Sequence, residues 1–199
     1  MNPSTEQHWR VFCAIELPQH ICELVLRHIA RLQEATSQAR ASWARAGNLH
    51  LTLKFLGDTP LQSVPNLSRA AESAARSVRP FTLRIEESGV FPQRGPAKVL
   101  WLGVNDASGM LVRLQTELEE QCATAGFAKE TRSFHPHLTL ARVRNPQHAR
   151  ALATAHQNLK FDPVEFDVRE LLVIRSELSR VGSKYSVISR HAFTVSDKL

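Results

Sequence analysis

The sequence predicts an α+β fold: two similar lobes of mainly antiparallel strands with flanking helices around a central cleft. Two observations carry this expectation. The tetrapeptide His-Leu-Thr-Leu occurs at His50–Leu53 and again at His137–Leu140 in a chain of 199 residues. A repeat of that kind marks a repeated structural role. Around each copy, strand-like stretches mix with stretches of helical periodicity, which favours separate strand and helix layers with largely antiparallel pairing.

The elements follow in order. Arg10 to Leu17, with a continuous apolar run from Val11 to Ile15, reads as a strand, and Pro18 stops it. From His20 to about Ala39, apolar side chains at Ile21, Leu24, Val25, Ile29 and Leu32 recur at helical spacing, with His28 on the same stripe. A short strand around Ser42–Arg45 leads into the first repeat strand, Leu49 to Leu56, which Gly57-Asp58 is expected to end. Leu61 to about Val78 reads as a helix broken by Pro80. Phe81–Ser88 and Ala97–Val104 read as paired strands joined by a loop holding Gly89, Pro92, Gly95 and Pro96. Ser108 to about Ala125 is helical, with Gly126 as its C-terminal cap. The second repeat strand runs from His137 to Val143, a short helix covers Pro146 to Asn158, and two strands, Glu165–Ser176 and Tyr185–Val195, meet through Gly182-Ser183. Residues 1–9 read as a flexible polar tail and 10–199 as one bilobal domain.

Composition narrows the function. The chain is 43% hydrophobic and 22% charged, as in an ordinary soluble globular protein. It has no apolar run of the ~20 residues that span a membrane and no secretion signal at its start. Cys13, Cys22 and Cys122 are odd in number and form no Cys-x-x-Cys, so a disulfide framework and a thiolate zinc site are not expected, and a reducing cytoplasm is. The net charge is +6, and the 25 basic residues comprise 19 Arg and 6 Lys. Arginine is the better bidentate ligand for phosphate, so the balance favours nucleotides or RNA as partners. Signatures of P-loop motors, dinucleotide redox enzymes and serine hydrolases are missing from the sequence.

The chemistry rests on the repeat. On a strand, residues i and i+2 share a face. Each His therefore lies beside its Thr, while both leucines point to a core. Two such strands facing each other present two imidazoles to one bound group. Imidazole titrates near pH 6.5 and serves as acid or base, each proton transfer contributing about 10²–10⁴-fold in rate. On opposite sides of a phosphorus atom, one imidazole takes the proton of the attacking oxygen and the other protonates the leaving oxygen. The threonine hydroxyls donate to non-bridging oxygens. The candidate site is therefore His50 and His137 for catalysis, with Thr52 and Thr139 for substrate binding. His135 and His137 resemble a metal-ligating pair, but Pro136 separates them and no Asp, Glu or Cys sits close enough to complete a set, so no metal is expected. His8, His20, His28, His148, His156 and His191 carry no motif and are read as packing or surface residues. Lys54 shares the strand parity of His50 and Thr52, which points it at the phosphate. Arg142 has the parity of the leucine face unless a bulge turns it. Trp43, Phe55, Trp101 and Tyr185 are candidates for base stacking, against core packing.

With these residues in place, the chain resembles the two-histidine (2H) phosphoesterase superfamily, and within it the bacterial and archaeal RNA 2′,3′-cyclic phosphodiesterases first known as 2′-5′ RNA ligases. The matching stretches are Arg10-Val-Phe-Cys-Ala-Ile-Glu-Leu-Pro18, Asn48-Leu-His-Leu-Thr-Leu-Lys-Phe-Leu-Gly57, Gly89-Val-Phe-Pro92, Val99-Leu-Trp-Leu-Gly103 and Phe134-His-Pro-His-Leu-Thr-Leu-Ala-Arg142, then Ser176 with Gly182-Ser-Lys-Tyr185. The resemblance implies hydrolysis of an RNA 2′,3′-cyclic phosphate to a 2′-phosphomonoester without metal or other cofactor. It implies that His50 is the proton donor and His137 the proton acceptor, and it favours Arg142 as a further site residue. The expected partners are RNA or nucleotides with 2′,3′-cyclic phosphate ends, and the expected form is a cytoplasmic monomer. Alternatives are 2′-5′ ligation, 2′-5′ oligonucleotide cleavage, and a nucleotide-binding module with incidental activity.

Overall fold

The computed structural model describes residues 7–179 and 182–194. In chain order the strands and α-helices are β1 (His8–Glu16), α1 (Gln19–Ala35), β2 (Ala41–Trp43), β3 (His50–Pro60), α2 (Val64–Ala75), β4 (Phe81–Phe91) and β5 (Val99–Asn105). They continue with α3 (Met110–Thr124), β6 (His137–Val143), α4 (Ala149–Asn158), β7 (Val164–Val168), β8 (Glu170–Ser179) and β9 (Gly182–Ala192). Two antiparallel sheets result, one ordered β3-β1-β8-β9 and the other β2-β6-β5-β4-β7. Each sheet contains one His-Leu-Thr-Leu strand. This is the α+β architecture of two mainly antiparallel layers expected from the sequence, with the four helices packed outside them.

The lobes are not the two halves of the chain. β2, from the N-terminal half, pairs with β6, while β8 and β9 return from the C-terminal end to complete the sheet of β1 and β3. Neither sheet is complete without strands from both ends of the sequence. Helix packing follows the same exchange: α2 lies on β8 and β9, α4 on β4, and α1 against α4.

Local chemistry explains the helices. α1 buries Ile21, Val25, Ile29 and Leu32, the i, i+4, i+8, i+11 stripe that faces a core. Each such side chain contributes about 1.5–3 kcal/mol on burial. The helix stops at Ala35, earlier than the expected Ala39, because Thr36 turns back: its amide bonds the Gln33 carbonyl and its Oγ1 the Leu32 carbonyl. α3 ends as expected. Gly126 takes φ +91°, and the Phe127 amide reaches the Cys122 carbonyl at 2.9 Å, closing the turn that the left-handed residue permits.

Further boundaries depart from expectation. Gly57 does not end β3; it takes φ +71° inside the strand, opposite Val11, and pairing continues to Pro60. Gly89 lies within β4 rather than in the loop, directly opposite Trp101. A Cβ there would sit 2.1 Å from the indole, so the strand needs glycine for the ring to lie across it. The expected strand Glu165–Ser176 is two strands, β7 and β8, which part at Arg169 and enter different sheets. β1 begins at His8, two residues before the expected start. Residues 1–6 and Val195 lie outside the described residues. No helix among the described residues is long and apolar enough to cross a membrane.

The register holds the feature that shapes the site. β3 pairs Thr52 with Ala14 and Lys54 with Cys13, leaving Leu53 as an extra residue. β6 pairs Thr139 with Trp101 and Ala141 with Leu100, leaving Leu140 extra at the equivalent place. Each repeat strand therefore has a one-residue bulge after its second leucine, and the faces invert beyond it. Lys54, expected at the phosphate, turns inward instead. Its side chain is 2% exposed and its ammonium bonds Glu119 Oε2 at 2.5 Å and the Ala128 carbonyl at 2.8 Å. Glu119 accepts the Glu130 amide with the same oxygen. One buried pair thus ties β3 to α3 and to the segment that leads into β6.

Removing one partner of a buried pair strands the other charge. Lys54→Met is expected to lower stability by about 3–5 kcal/mol, and Lys54→Met with Glu119→Leu to recover most of it. Denaturant midpoints of the three proteins check this; a single variant as stable as the wild type would show that the pair does not hold the two layers.

Candidate active site

His50 and Thr52 on β3 and His137 and Thr139 on β6 line one cleft of about 910 Å³ between the two sheets. The expected strand parity holds on both strands: Leu51, Leu53, Leu138 and Leu140 are buried on the core side. All four sequence-predicted site residues meet in that single cavity.

Both imidazoles are held the same way. His50 Nδ1 lies 2.9 Å from the Asn48 carbonyl, and His137 Nδ1 lies 2.6 Å from the His135 carbonyl. A carbonyl oxygen only accepts, so each Nδ1 carries the proton, and in the neutral ring the lone pair is on Nε2. In each case the tether is the carbonyl two residues before the histidine. His135, considered as a metal partner of His137, serves instead through its backbone.

Aromatic walls flank each ring. Phe12 (4.7 Å between centroids) and Tyr185 (5.3 Å) pack on His50. Phe91 (5.1 Å) and Trp101 (6.3 Å) pack on His137. Burial among them withholds water from the charged ring. It pushes the His50 pKa down to about 4 against the hydrogen bond to Asn48, with the charges of His137 and Arg142 adding to the fall. Burial lowers the His137 pKa as well, against its bond to His135, and the charges of His135 and Arg142 act in the same direction. At neutral pH this burial favours the neutral form of both imidazoles.

The bulges decide what else enters. Beyond Leu140 the inverted face turns Arg142 into the cleft beside Thr139. Its charge acts on both histidines. Beyond Leu53 the same inversion puts Phe55 at the cleft with 48% exposure, where Arg10 lies over its ring at 4.7 Å. Arg142 is the cleft residue that strand parity alone assigned to the wrong face. Of the aromatic candidates, Trp43, Phe55 and Tyr185 line the cleft. Trp101 packs behind His137, with its indole against Gly89. Farther out the rim carries Arg10, Arg45 and Arg144, and among the described residues no carboxylate lines the cavity. No cluster of three or more His, Cys, Asp or Glu fit to hold a metal ion occurs among the described residues.

Comparison with known sequences places this geometry. The profile of the 2′-5′ RNA ligase superfamily matches residues 18–180. The chain belongs to this superfamily. As a member, it shares 31% identity over 180 residues with a protein of Methanothermobacter thermautotrophicus named RNA 2′,3′-cyclic phosphodiesterase, covering 89% of this chain and 95% of that one. It shares 31% over 190 residues with the Escherichia coli protein of the same name, covering 93% and 97%. Among solved structures, TT0787 of Thermus thermophilus superposes with a TM-score of 0.74 at 25% identity, covering 92% of this chain and 97% of that one. E. coli LigT complexed with 3′-AMP superposes with a TM-score of 0.71 at 29% identity, covering 95% and 100%. The superfamily member described here thus matches these four proteins over nearly their whole lengths.

Anion binding is expected to reverse the depression of the histidine pKa values. An anion between the rings stabilises imidazolium, so each raised pKa means a proton taken up on binding. In ¹⁵N NMR titrations, both rings of the free protein should titrate below about 6.5, and saturating phosphate should move at least one upward. Values that stay put or fall would show that the anion does not sit between the rings.

Proposed function

We propose that this chain opens RNA 2′,3′-cyclic phosphodiesters by water attack, leaving a 2′-phosphomonoester and a free 3′-hydroxyl, with His50 and His137 as the acid and base. The observation that carries this reading is the pair of imidazoles tethered alike through Nδ1 and facing one carboxylate-free, arginine-lined cleft. Its relatives of matching length are named for the same activity.

His137 Nε2 takes a proton from water as the water oxygen attacks phosphorus. The P–O3′ bond breaks, and His50, protonated, gives its proton to O3′. One proton enters the site on His137 and one leaves from His50, so the rings exchange states in each turnover. Thr52 and Thr139 donate hydroxyl hydrogen bonds to the non-bridging oxygens, where charge builds in the transition state. Arg142 adds a fixed positive charge at the same oxygens. This chemistry needs no metal, since both proton transfers and the charge stabilisation come from the chain's own side chains. One chain supplies both halves of the site, so residues 10–199 act as one unit and as a monomer. The three free cysteines suit a reducing cytoplasm.

His50→Ala and His137→Ala are each expected to lower kcat by at least about 10²–10⁴-fold on a 3′-end-labelled RNA bearing a 2′,3′-cyclic phosphate. Wild-type activity is expected to survive exhaustive EDTA. Near-normal turnover by either variant overturns the two-histidine mechanism. Loss on chelation that zinc or manganese restores overturns its metal independence.

Thr52→Ala and Thr139→Ala should cost less, roughly 1–3 kcal/mol of transition-state stabilisation each, because a single hydrogen bond and no proton transfer is lost. Thr→Ser should recover most of that in kcat/KM. A serine variant as slow as the alanine variant would mean that the methyl group, rather than the hydroxyl, was needed.

A further inference from the structure

Two histidines lie deeper in the protein than either ring of the cleft, and the proposed reaction uses neither. His28 of α1 is 3% exposed and His156 of α4 is fully buried. Their rings stand edge to face, 6.1 Å between centroids, and Phe161 packs on His28 at 5.3 Å. Among the described residues, neither nitrogen of His28 has a hydrogen-bond partner, and Nδ1 of His156 has none. A buried polar atom without a partner costs free energy that an aliphatic side chain of similar size avoids. Packing therefore gives no reason for histidine at either position. At 156 the second ring nitrogen gives one.

His156 Nε2 lies 2.9 Å from the Trp101 carbonyl. A carbonyl only accepts, so Nε2 carries the proton. Burial pushes the pKa of both rings down, His28 to about 4 with the charges of His156 and Arg31 adding to the fall, and His156 against its hydrogen bonds to the backbone of Trp101 and Gly89. The neutral His156 ring has one N–H, and it is committed to β5. Trp101 is where such a bond counts. It pairs with Gly89 on β4 and with Thr139 on β6, and the β5–β6 register shifts beside it, at the Leu140 bulge. A bulge disrupts the ladder locally, so a donor from outside the ladder has most to add there. The Trp101 indole also packs on His137 at 6.3 Å between centroids. The last turn of α4 is held to β4 as well, where the Ser88 hydroxyl donates to the His156 carbonyl at 3.4 Å.

We propose that His156 is a positioning residue: through the Trp101 carbonyl it holds the wall of His137 and the strand beside Thr139, without reaching the substrate. It lines no part of the cleft. The effect falls on one half-site only, because His50 is walled by Phe12 and Tyr185 of the other sheet. His28 shares the buried pair but makes no bond to Trp101, so it serves as the internal control. This rests on the function proposed above and adds to it a residue outside the cleft.

Three variants separate positioning from packing. H156L removes the donor and keeps the volume, H156Q restores a side-chain N–H of similar reach, and H28L alters the same buried pair while leaving the bond. On the 3′-end-labelled cyclic-phosphate RNA, H156L is expected to lose at least about tenfold in kcat with KM within about twofold. H156Q should recover most of that loss, and H28L should stay within about twofold of wild type. In ¹⁵N NMR titrations of the free proteins, H156L should raise the His137 pKa by about 0.5 as its wall loosens, and leave His50 unmoved. Unchanged kcat and an unchanged His137 titration in H156L overturn the proposal. So does a kcat loss with His137 unmoved, an H156Q variant as slow as H156L, or an H28L variant as impaired as H156L, since each is the mark of packing alone. Should H156L not fold, the wild type still decides: its His156 ring must be the Nε2–H tautomer with a slowly exchanging proton, and an Nδ1–H tautomer removes the bond and the proposal with it. If no protein hydrolyses the cyclic phosphate yet His137 responds to H156L and not to H28L, the positioning stands and the proposed reaction falls.

Discussion

A one-residue bulge, placed after the second leucine of each repeat strand, governs the rest of the molecule. Without it, β3 would hold Lys54 in the cleft and Phe55 in the core, and β6 would bury Arg142 and Arg144. Each strand instead presents His and Thr on one register and, past the bulge, its next cleft residue on the inverted one. The same inversion sends Lys54 inward to Glu119 and Ala128, where it braces the segment that approaches the second motif. The same irregularity thus brings a cation, Arg142, to the cleft from one strand and a structural tie, Lys54, from the other.

The second constraint is burial of the imidazoles. Burial among aromatic walls lowers both pKa values, His50 to about 4, so by themselves the rings are poor at supplying an acid. The substrate supplies what the walls take away. A unit negative charge about 4 Å off, at an effective dielectric near 20, contributes about 4 kcal/mol, equivalent to about three pKa units. That suffices to return the His50 pKa to near neutral pH. In the proposed reaction, desolvation makes the acid conditional on the presence of a phosphate, and the same dry surroundings would strengthen hydrogen bonds from Thr52 and Thr139 to its oxygens.

Much of this was legible in the sequence because it is periodic or punctuated. The His-x-Thr parity, the core face of α1 and the Gly126 cap follow from local rules that tertiary contacts do not override. The two antiparallel layers were legible too, since the repeat and the mixture of elements both point to them. What was hidden is non-local. No residue type announces the bulges at Leu53 and Leu140, because a bulge is set by the partner strand's register, and so Lys54 and Arg142 were read on the wrong faces. Gly57 and Gly89 looked like strand ends, since glycine marks a turn and a close approach with the same letter; Trp101, lying across Gly89, decides between them. The exchange of β2, β8 and β9 between the sheets depends on pairing across the whole chain, which no window of sequence contains.

The duplicated motif has a consequence for the direction of catalysis. Two half-sites related by exact two-fold symmetry would treat both faces of a phosphorus atom alike and could not tell entering oxygen from departing oxygen, which is the condition of a homodimer with its site on the axis. Here the halves are joined in one chain, and the symmetry is broken at each step past the shared tetrapeptide. Lys54 answers to Ala141, Phe55 to Arg142, and β3 forms a sheet edge where β6 is flanked by β2. A covalent tandem can therefore mutate one half without touching the other. For the reaction proposed above, the chemical polarity of the site, which ring gives a proton and which receives it, would lie in those differences and not in the repeat itself.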